Sequence, residues 1–556
     1  MNKYQGVNIW DLYAQKLLEA GIKTIFGMVG DGQGLLEAAY KRGDFEVWTA
    51  RDQRIAVGMA MGYAQKTGKP SVFVTSPGPG LANSAMGILE AFSAAVPMVI
   101  VSNGTSRDSR GKAMFQEMDA ISFMKPITKW CYRVESPDQA LWALQRAFHY
   151  AINGKPGPVF IELPDDLIIE DFVESELALP VVPLRSVANP DTIERVAKAL
   201  EKAERPVFIA GGGCRGKQAE QIFREFADIH SAAVFTTASA RGIVNEHAPN
   251  SFGLIGLYTV PEAKVLLQEA DLVLIVGSQL EETAFMGWNE LAMSKTTIQI
   301  DTDYESLCRS LTTDYVLLGD AYYTLRELNM RIKSKFINRK AWQQQIQSVK
   351  ESILNKWLEV DYETQPVRAT LMMLAEQFGA DLQLVQDNGL HDMWGYVYPV
   401  YAVQPPGRTF VPGEMTALGL PLGVALGTKL AAREQPVVAV IGDGSFQMGN
   451  SAVVTAVDYG LGITFVILDN GGFSWPRHQQ TKLGNQSVGC VFDTKQDWSN
   501  LADTAGALLF RPSNRDELAN ILARAKRLNL EGKVVIVQLS FDWNQDIPVI
   551  VTSHNN

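Results

Sequence analysis

The chain has 556 residues, 46% of them hydrophobic and 20% charged, with a formal net charge of −11 from 61 acidic and 50 basic residues. That length exceeds what one hydrophobic core serves and predicts about three domains of roughly 150 to 200 residues. The acidic balance excludes nucleic acid and anionic membrane as general partners, so any anionic ligand needs a local site. The amino-terminal stretch MNKYQGVNIWDLYAQKLLEAG reads as an amphipathic helix interrupted by charge. No apolar run approaches the ~18 residues of a membrane span, and a cytoplasmic protein is expected. Cys131, Cys214, Cys308 and Cys490 are scattered without CxxC spacing. They predict neither a disulfide framework nor a zinc site and read as buried small hydrophobes.

Residues 1–172 alternate helix and strand: a helix over Ile9–Ala20, strands at Thr24–Phe26 and Glu46–Thr49, a helix from Gln53, then strands at Ser71–Thr75 and Pro97–Ser102. A helix over Gln139–Ile152 and a closing strand at Pro158–Leu163 complete the unit. The pattern predicts a doubly wound parallel sheet. Val173–Pro190, with three prolines and no periodicity, reads as a linker. A second α/β unit occupies residues 191–335, with strands at Pro206–Ala210, Ala233–Thr236, Leu272–Val276 and Thr297–Ile300. Its first turn, Gly211 to Gly216, matches a dinucleotide fingerprint weakly, and Asp301 lies too far along to be the ribose-binding acid of the first βαβ unit. A nonredox structural domain is the preferred reading. A charged, Gln-rich helix over Asn338–Glu359 joins it to a third α/β unit, residues 366–556. The fold class is therefore α/β, with three doubly wound parallel-sheet domains.

The third unit carries the strongest motif, PVVAVIGDGSFQMGNSAVVTAVDYGLGITFVILDNGG, Pro436 to Gly472. An apolar strand breaks at Gly442-Asp443-Gly444, a helical pattern runs to Tyr459, and a second apolar strand over Thr464–Leu468 ends in Asp469-Asn470-Gly471-Gly472. In such a unit an anion binds where the strand's carboxyl end meets the helix's amino end, because free backbone N–H groups point there. Glycines let backbone approach closely. Asp443, the Asn470 side-chain oxygen and the Gly472 carbonyl supply the oxygen donors a hard divalent cation needs.

This spacing resembles the diphosphate-Mg²⁺ motif of thiamine diphosphate (ThDP) enzymes, and within them the acetolactate synthase-like group. Asp469 departs from the family's first Asn, while the ligand position, Asn470, is kept. Further elements resemble the same family in order along the chain. Ser76 to Asn83 (SPGPGLAN) is similar to the loop beside the pyrimidine, Phe115-Gln116-Glu117 to an F-Q-E element bordering the substrate, Asp387 to Trp394 (DNGLHDMW) to D-x-G-x-H-x-M-W, and Gly413 to Pro421 (GEMTALGLP) to a segment ending in G-L-P. The resemblance implies a pyrimidine-binding first domain, a central domain and a diphosphate-binding third domain. Some relatives carry FAD or another adenine nucleotide in the central domain, and nothing in this turn calls for one. The implied cofactor-binding residues are Gly78, Asn83, His391, Met415, Gly442, Asp443, Gly444, Ser445, Asn470 and Gly472. Strict register puts Thr416, and the position before it Met415, where the family has a residue that wedges the cofactor into a bent shape; the thioether favours Met415.

The same register makes one departure conspicuous. Ala50 to Ala64 (ARDQRIAVGMAMGYA) resembles the family's A-R-H-E followed by small residues and G-Y-A, which places Gln53 at the position of the glutamate that activates the pyrimidine. An amide can hydrogen-bond to the ring nitrogen N1′ but cannot relay a proton. Three accounts stay open: a natural Gln53 with slow activation, an engineered replacement of a glutamate, or a protein that binds ThDP without turnover. His149, His230, His247 and His554 read as surface or packing residues, and the chain lacks a His-His pair. Arg477 falls at an arginine position of acetolactate synthases, whereas Trp475 and His478 depart from their pattern. Gln53, Gln116 and Arg477 are the expected catalytic residues, and Phe115, Trp475 and His478 line the expected substrate pocket. The implied reaction makes or breaks a C–C bond at a 2-oxo acid, most simply as a carboligase acting on a carbonyl acceptor; the alternatives are a non-oxidative decarboxylase or lyase, and a catalytically weakened ThDP-binding protein. The resemblance also implies a homodimer or homotetramer with active sites at the subunit interface.

Overall fold

The computed structural model describes residues 3–4, 8–30, 34–169, 172–173, 178–286, 295–333, 339–410, 414–494 and 496–545. Three separate six-stranded sheets account for the α/β pattern, and every strand pair within them is parallel. The first domain's strands are Thr24–Gly27, Glu46–Thr49, Ser71–Thr75, Met98–Gly104, Trp130–Arg133 and Pro158–Pro164. Numbered within the domain, they lie in the order 2-1-3-4-6-5. The third domain, with strands Gln383–Gln386, Arg408–Phe410, Val437–Gly442, Ile463–Asp469, Leu508–Phe510 and Val535–Ser540, repeats that order. The central domain runs 3-2-1-4-5-6 through Pro206–Ala210, Ala233–Thr236, Ser251–Leu254, Leu272–Val276, Thr296–Asp301 and Tyr315–Leu318. That is the strand order of dinucleotide-binding folds.

Most strands that sequence periodicity marked, such as Leu272–Val276 and Val437–Ile441, are buried on both faces, while Glu46–Thr49 is a partly exposed edge strand. Of the strands it passed over, Trp130–Arg133 and Tyr315–Leu318 lie at sheet edges and are partly exposed, whereas Gln383–Gln386 is internal and buried but bounded by glutamines. Two readings are corrected. Lys3–Tyr4 is not helical but pairs antiparallel with Phe172–Val173, so the helix begins only at Ile9, where Asn8 accepts the Trp10 N–H at 2.8 Å. Of the four cysteines Cys214 and Cys490 are buried, but Cys308 is exposed and Cys131 half-buried. His554, Gly413 and Asn338 lie outside the described residues.

The first and third domains share one hydrophobic core, and the central and third domains another. The first junction is organised by two helices, Gln53–Thr67 and Leu420–Ala431, that run side by side in the same sense. Gly58 and Gly62 on one face Gly423 and Val424 on the other, and Gly423 and Gly427 face Ile55 and Met59. A methyl group at Gly62 or Gly427 would run into the backbone of Val424 or Met59, so the glycines permit the backbones to touch. Because the helices are parallel, the end carrying Gln53 and the end preceded by the loop 414–419 lie together.

Candidate active site

The third sheet changes direction between Gln383–Gln386 and Val437–Gly442, which are neighbours, and ligands of such sheets bind outside the strand ends at that point. Val437–Gly442 leads straight into the helix Asp443–Gly449, and the next strand, Ile463–Asp469, delivers Asn470 beside it. Asp443 is fully buried, yet among the described residues neither carboxylate oxygen has a hydrogen-bond partner. The Asn470 amide is polarised by its surroundings: Nδ2 donates to Ser474 Oγ at 2.6 Å, and Oδ1 is left buried and unpaired. Each such orphan costs about 1–3 kcal/mol, so three together on two adjacent strand ends mark a place completed by a ligand. Oxygen-only donors of this kind suit a hard cation. Burial, reinforced by the charge of Asp469, pushes the Asp443 carboxyl up to about 6 against the nearby N–H groups of Asn470 and Gly444. A bound cation would reverse that rise.

The packing around this turn is uneven, open at Gly442 and close at Gly444 and Gly472. The His391 ring lies 3.8 Å from where a side chain on Gly442 would begin, its Nε2 is buried and unpaired, and burial lowers its pKa to about 4. It is therefore a neutral imidazole facing the turn. A methyl on Gly444 would stand 2.6 Å from the Phe473 ring, and one on Gly472, whose φ is 151°, would strike the Cys490 carbonyl. Ser445 is buried in the first turn of the helix. Beyond the loop, the helix Ser474–Lys482 carries Trp475, Arg477 and His478. The Trp475 and His478 rings stack with centroids 5.7 Å apart. Trp475 and the central domain's Tyr258 both pack on Leu390 and Met393. Arg477 lies with its guanidinium 4.2 Å from the Trp543 ring centroid, its Nε buried and unpaired. Burial lowers the His478 pKa, with Lys482 adding to the effect.

A second cluster belongs to the first domain. Asp52 caps the helix Gln53–Thr67 by accepting the Arg54 N–H at 2.8 Å, and it pairs with the Arg54 guanidinium at 3.0 Å. Burial opposes its ionisation, but these contacts with Arg54 win and hold the Asp52 carboxyl below its ordinary value. Asn83 Nδ2 donates to Gln53 Oε1 at 2.8 Å and to Asp52 Oδ1 at 3.3 Å. The Gln53 oxygen is thereby used, and its NH₂ is the group left to donate. Gly78, at φ 57°, meets Gln116, since a methyl there would lie 2.8 Å from the Gln116 carbonyl. Gln116 has φ 56° and a buried, unpaired Oε1, while Phe115 is 82% exposed. Met415 is 46% exposed, and Thr416 lines a cavity of about 790 Å³.

The expected site residues thus form two groups in one chain. The Asp443 group and the Gln53 group are each locally assembled, and among the described residues no hydrogen bond joins them. The same cavity is bordered by Gly212, Gly213 and Arg215, so the central glycine-rich turn is more than a bend between elements. Sequence reading missed Tyr258, Asp392 and Glu90. The signal for Glu90 was a carboxylate inside the apolar run Gly87 to Phe92; Tyr258 had none.

Comparison with known proteins accounts for this layout. Residues 7–123 match the family model described as the N-terminal TPP binding domain of thiamine pyrophosphate enzymes, residues 193–328 the central domain, and residues 387–538 the C-terminal TPP binding domain. The chain belongs to the thiamine pyrophosphate (ThDP) enzymes and, within them, is an enzyme of the acetolactate synthase type. It is 27% identical to the acetolactate synthase large subunit of Buchnera aphidicola subsp. Schizaphis graminum, over 97% of this chain and 95% of that protein. It is 28% identical to the acetolactate synthase large subunit of Lactococcus lactis subsp. lactis, over 92% and 89%. To the acetolactate synthase isozyme 3 large subunit of Escherichia coli K12 it is 26% identical, over 97% and 95%. Among the described residues, no helix is long and apolar enough to cross a membrane.

Proposed function

We propose that the protein is a Mg²⁺- and ThDP-dependent carboligase that removes the carboxylate of a 2-oxo acid and joins the remaining fragment to an acceptor carbonyl. The observation that carries this reading is the set of orphan oxygens of Asp443 and Asn470 at adjacent strand ends. ThDP, when bound, supplies the carbon nucleophile and the electron sink for decarboxylation. Asp443, Asn470 Oδ1 and the Gly472 carbonyl hold Mg²⁺ against the diphosphate, with Gly442, Gly444, Ser445 and neutral His391 forming its bed. The free Gln53 NH₂ donates to the pyrimidine, and Asn83 fixes the amide's orientation. Arg477 binds the substrate carboxylate with its planar fork. Phe115, Gln116, Trp475 and His478 border the substrate and limit water.

The exposure of Phe115 and Met415 in the single chain supports a site completed by a second copy, in a homodimer or homotetramer, with the partner covering them. A second reading rests on Gln53 itself: with no carboxyl at this position, activation is slow, and the protein binds the cofactor better than it uses it. The test is a panel of 2-oxo acids, measuring CO₂ release with and without aldehyde acceptors and identifying products by mass spectrometry. Coupled products support the carboligase. Release of free aldehyde at the same rate with and without acceptor supports a decarboxylase and contradicts it. Absence of turnover alongside tight ThDP binding supports the second reading.

A further inference from the structure

The loop 414–419 is tied to all three domains. Glu414 accepts a hydrogen bond from Thr283 Oγ1 of the central domain at 2.7 Å. The Ala417 N–H donates to Glu90 Oε2 of the first domain at 3.1 Å, and the Gly419 N–H donates to Asp387 Oδ2 of the third at 2.7 Å. Between these tethers Thr416 sits at φ 48°, the left-handed region that a β-branched residue avoids. Such a conformation persists only where flanking contacts over-determine it. The loop's far end is pressed onto the diphosphate helix, since a methyl on Gly419 would stand 3.0 Å from Met448 Cβ and 3.2 Å from the Ser445 carbonyl. Glu90 is 1% exposed and reaches the loop from a helix, Pro79–Ser93, whose amino-terminal half carries Asn83. Glu90 is thus a deeply buried carboxylate whose contacts include the Ala417 N–H.

We propose that Glu90 is a positioning residue that fixes the loop carrying Met415 and Thr416, so that the first domain sets the shape of the cofactor bed of its own chain. This rests on the ThDP reading of the site. Met415 and Thr416 project from a backbone held before them by the Glu414–Thr283 contact and after them by Glu90 at Ala417 and Asp387 at Gly419. Without the Glu90 contact, Ala417 loses its acceptor and Thr416 relaxes out of the left-handed region, which widens the bed.

The test compares Glu90→Gln, Glu90→Asp and Glu90→Ala in the full-length protein, reading ThDP affinity at saturating Mg²⁺ by calorimetry and hydrogen exchange of the peptide covering Ala417. Glu90→Gln keeps an oxygen in place and is expected to bind ThDP within about threefold of the parent. Glu90→Asp keeps the charge but is one methylene too short, and Glu90→Ala removes the acceptor; both are expected to weaken ThDP binding about tenfold, the usual scale for an orphaned buried donor, and to speed exchange at Ala417. Glu90→Asp serves if Glu90→Ala does not fold. Parent-like affinity and exchange in the aspartate variant, or a glutamine variant as impaired as the aspartate one, would overturn the proposal. Asp443→Ala, run alongside, separates the two claims, because retained ThDP binding there contradicts the ThDP reading whatever Glu90 does.

Discussion

Replacing Gln53 by glutamate should convert a hydrogen-bonding group into a proton relay without moving it. Asn83 Nδ2 already donates to Gln53 Oε1 at 2.8 Å and would donate equally to a carboxylate. The new carboxyl would stand next to Asp52, with which it shares Asn83. Asp52 is ionised through its pair with Arg54, so its negative charge raises the pKa of a neighbouring acid, while Asn83 and Arg54 pull it down. The introduced group, unlike the amide, is a titratable carboxyl, and it lies in hydrogen-bond reach of Asn83. Restoring an acid–base group is worth ~10²- to 10⁴-fold when proton transfer limits the step, and at least about tenfold is expected here because Asn83 stabilises the anion. The assay is exchange of the ThDP C2 proton for deuterium, followed by acid quench and NMR, in the Gln53 protein and in Gln53→Glu. Turnover should rise with exchange if activation is limiting. Equal exchange rates in the two forms, with turnover already high in the Gln53 protein, would show that the cofactor is activated without a carboxyl at position 53.

Gly62→Ala would force a methyl into the Val424 backbone, and overpacking of this kind should lower the unfolding free energy by about 1–3 kcal/mol, measured by denaturant titration. Asp392, raised by burial from an ordinary 3.8 to about 8, is held protonated by the fold. Its contribution to stability is complete below pH ~4 and is lost as pH rises toward about 8. Asp392→Asn should therefore raise the thermal midpoint of the cofactor-free protein at about pH 8.5 relative to the parent and change it far less at about pH 4; an equal shift at both would rule out titration of this group. Arg477→Met should raise the KM for a 2-oxo acid several-fold and leave ThDP affinity unchanged, and unaltered kinetics would remove Arg477 from the substrate.

The three-domain α/β architecture was legible because its central strands are continuous apolar runs, and periods in sequence report burial on both faces. Edge strands such as Trp130–Arg133 and Leu508–Phe510 carry partly exposed residues and lack that signature. The Asp443 to Gly472 unit was readable because one βαβ unit holds both of its ends within a single stretch of chain. Gln53, Asn83, Gly78 and Gln116 could be named only by register with a family, and the structure shows them paired as Asn83 with Gln53 and Gly78 with Gln116. What sequence could not convey was contact between distant segments. Tyr258 reaches the Leu390 and Met393 surface from the central domain, and Glu90 meets Ala417 across 327 positions, and neither distance leaves a periodicity to read.

Asp443 and Asn470 are proposed to hold ThDP through a divalent cation. Calorimetric titration of ThDP into the full-length protein, with and without Mg²⁺ and in the parent and Asp443→Ala forms, tests this most directly. Tight binding is expected only in the parent with Mg²⁺ present, with loss of measurable binding when either the cation or the Asp443 carboxylate is removed. ThDP binding of equal affinity in all four conditions would contradict that role.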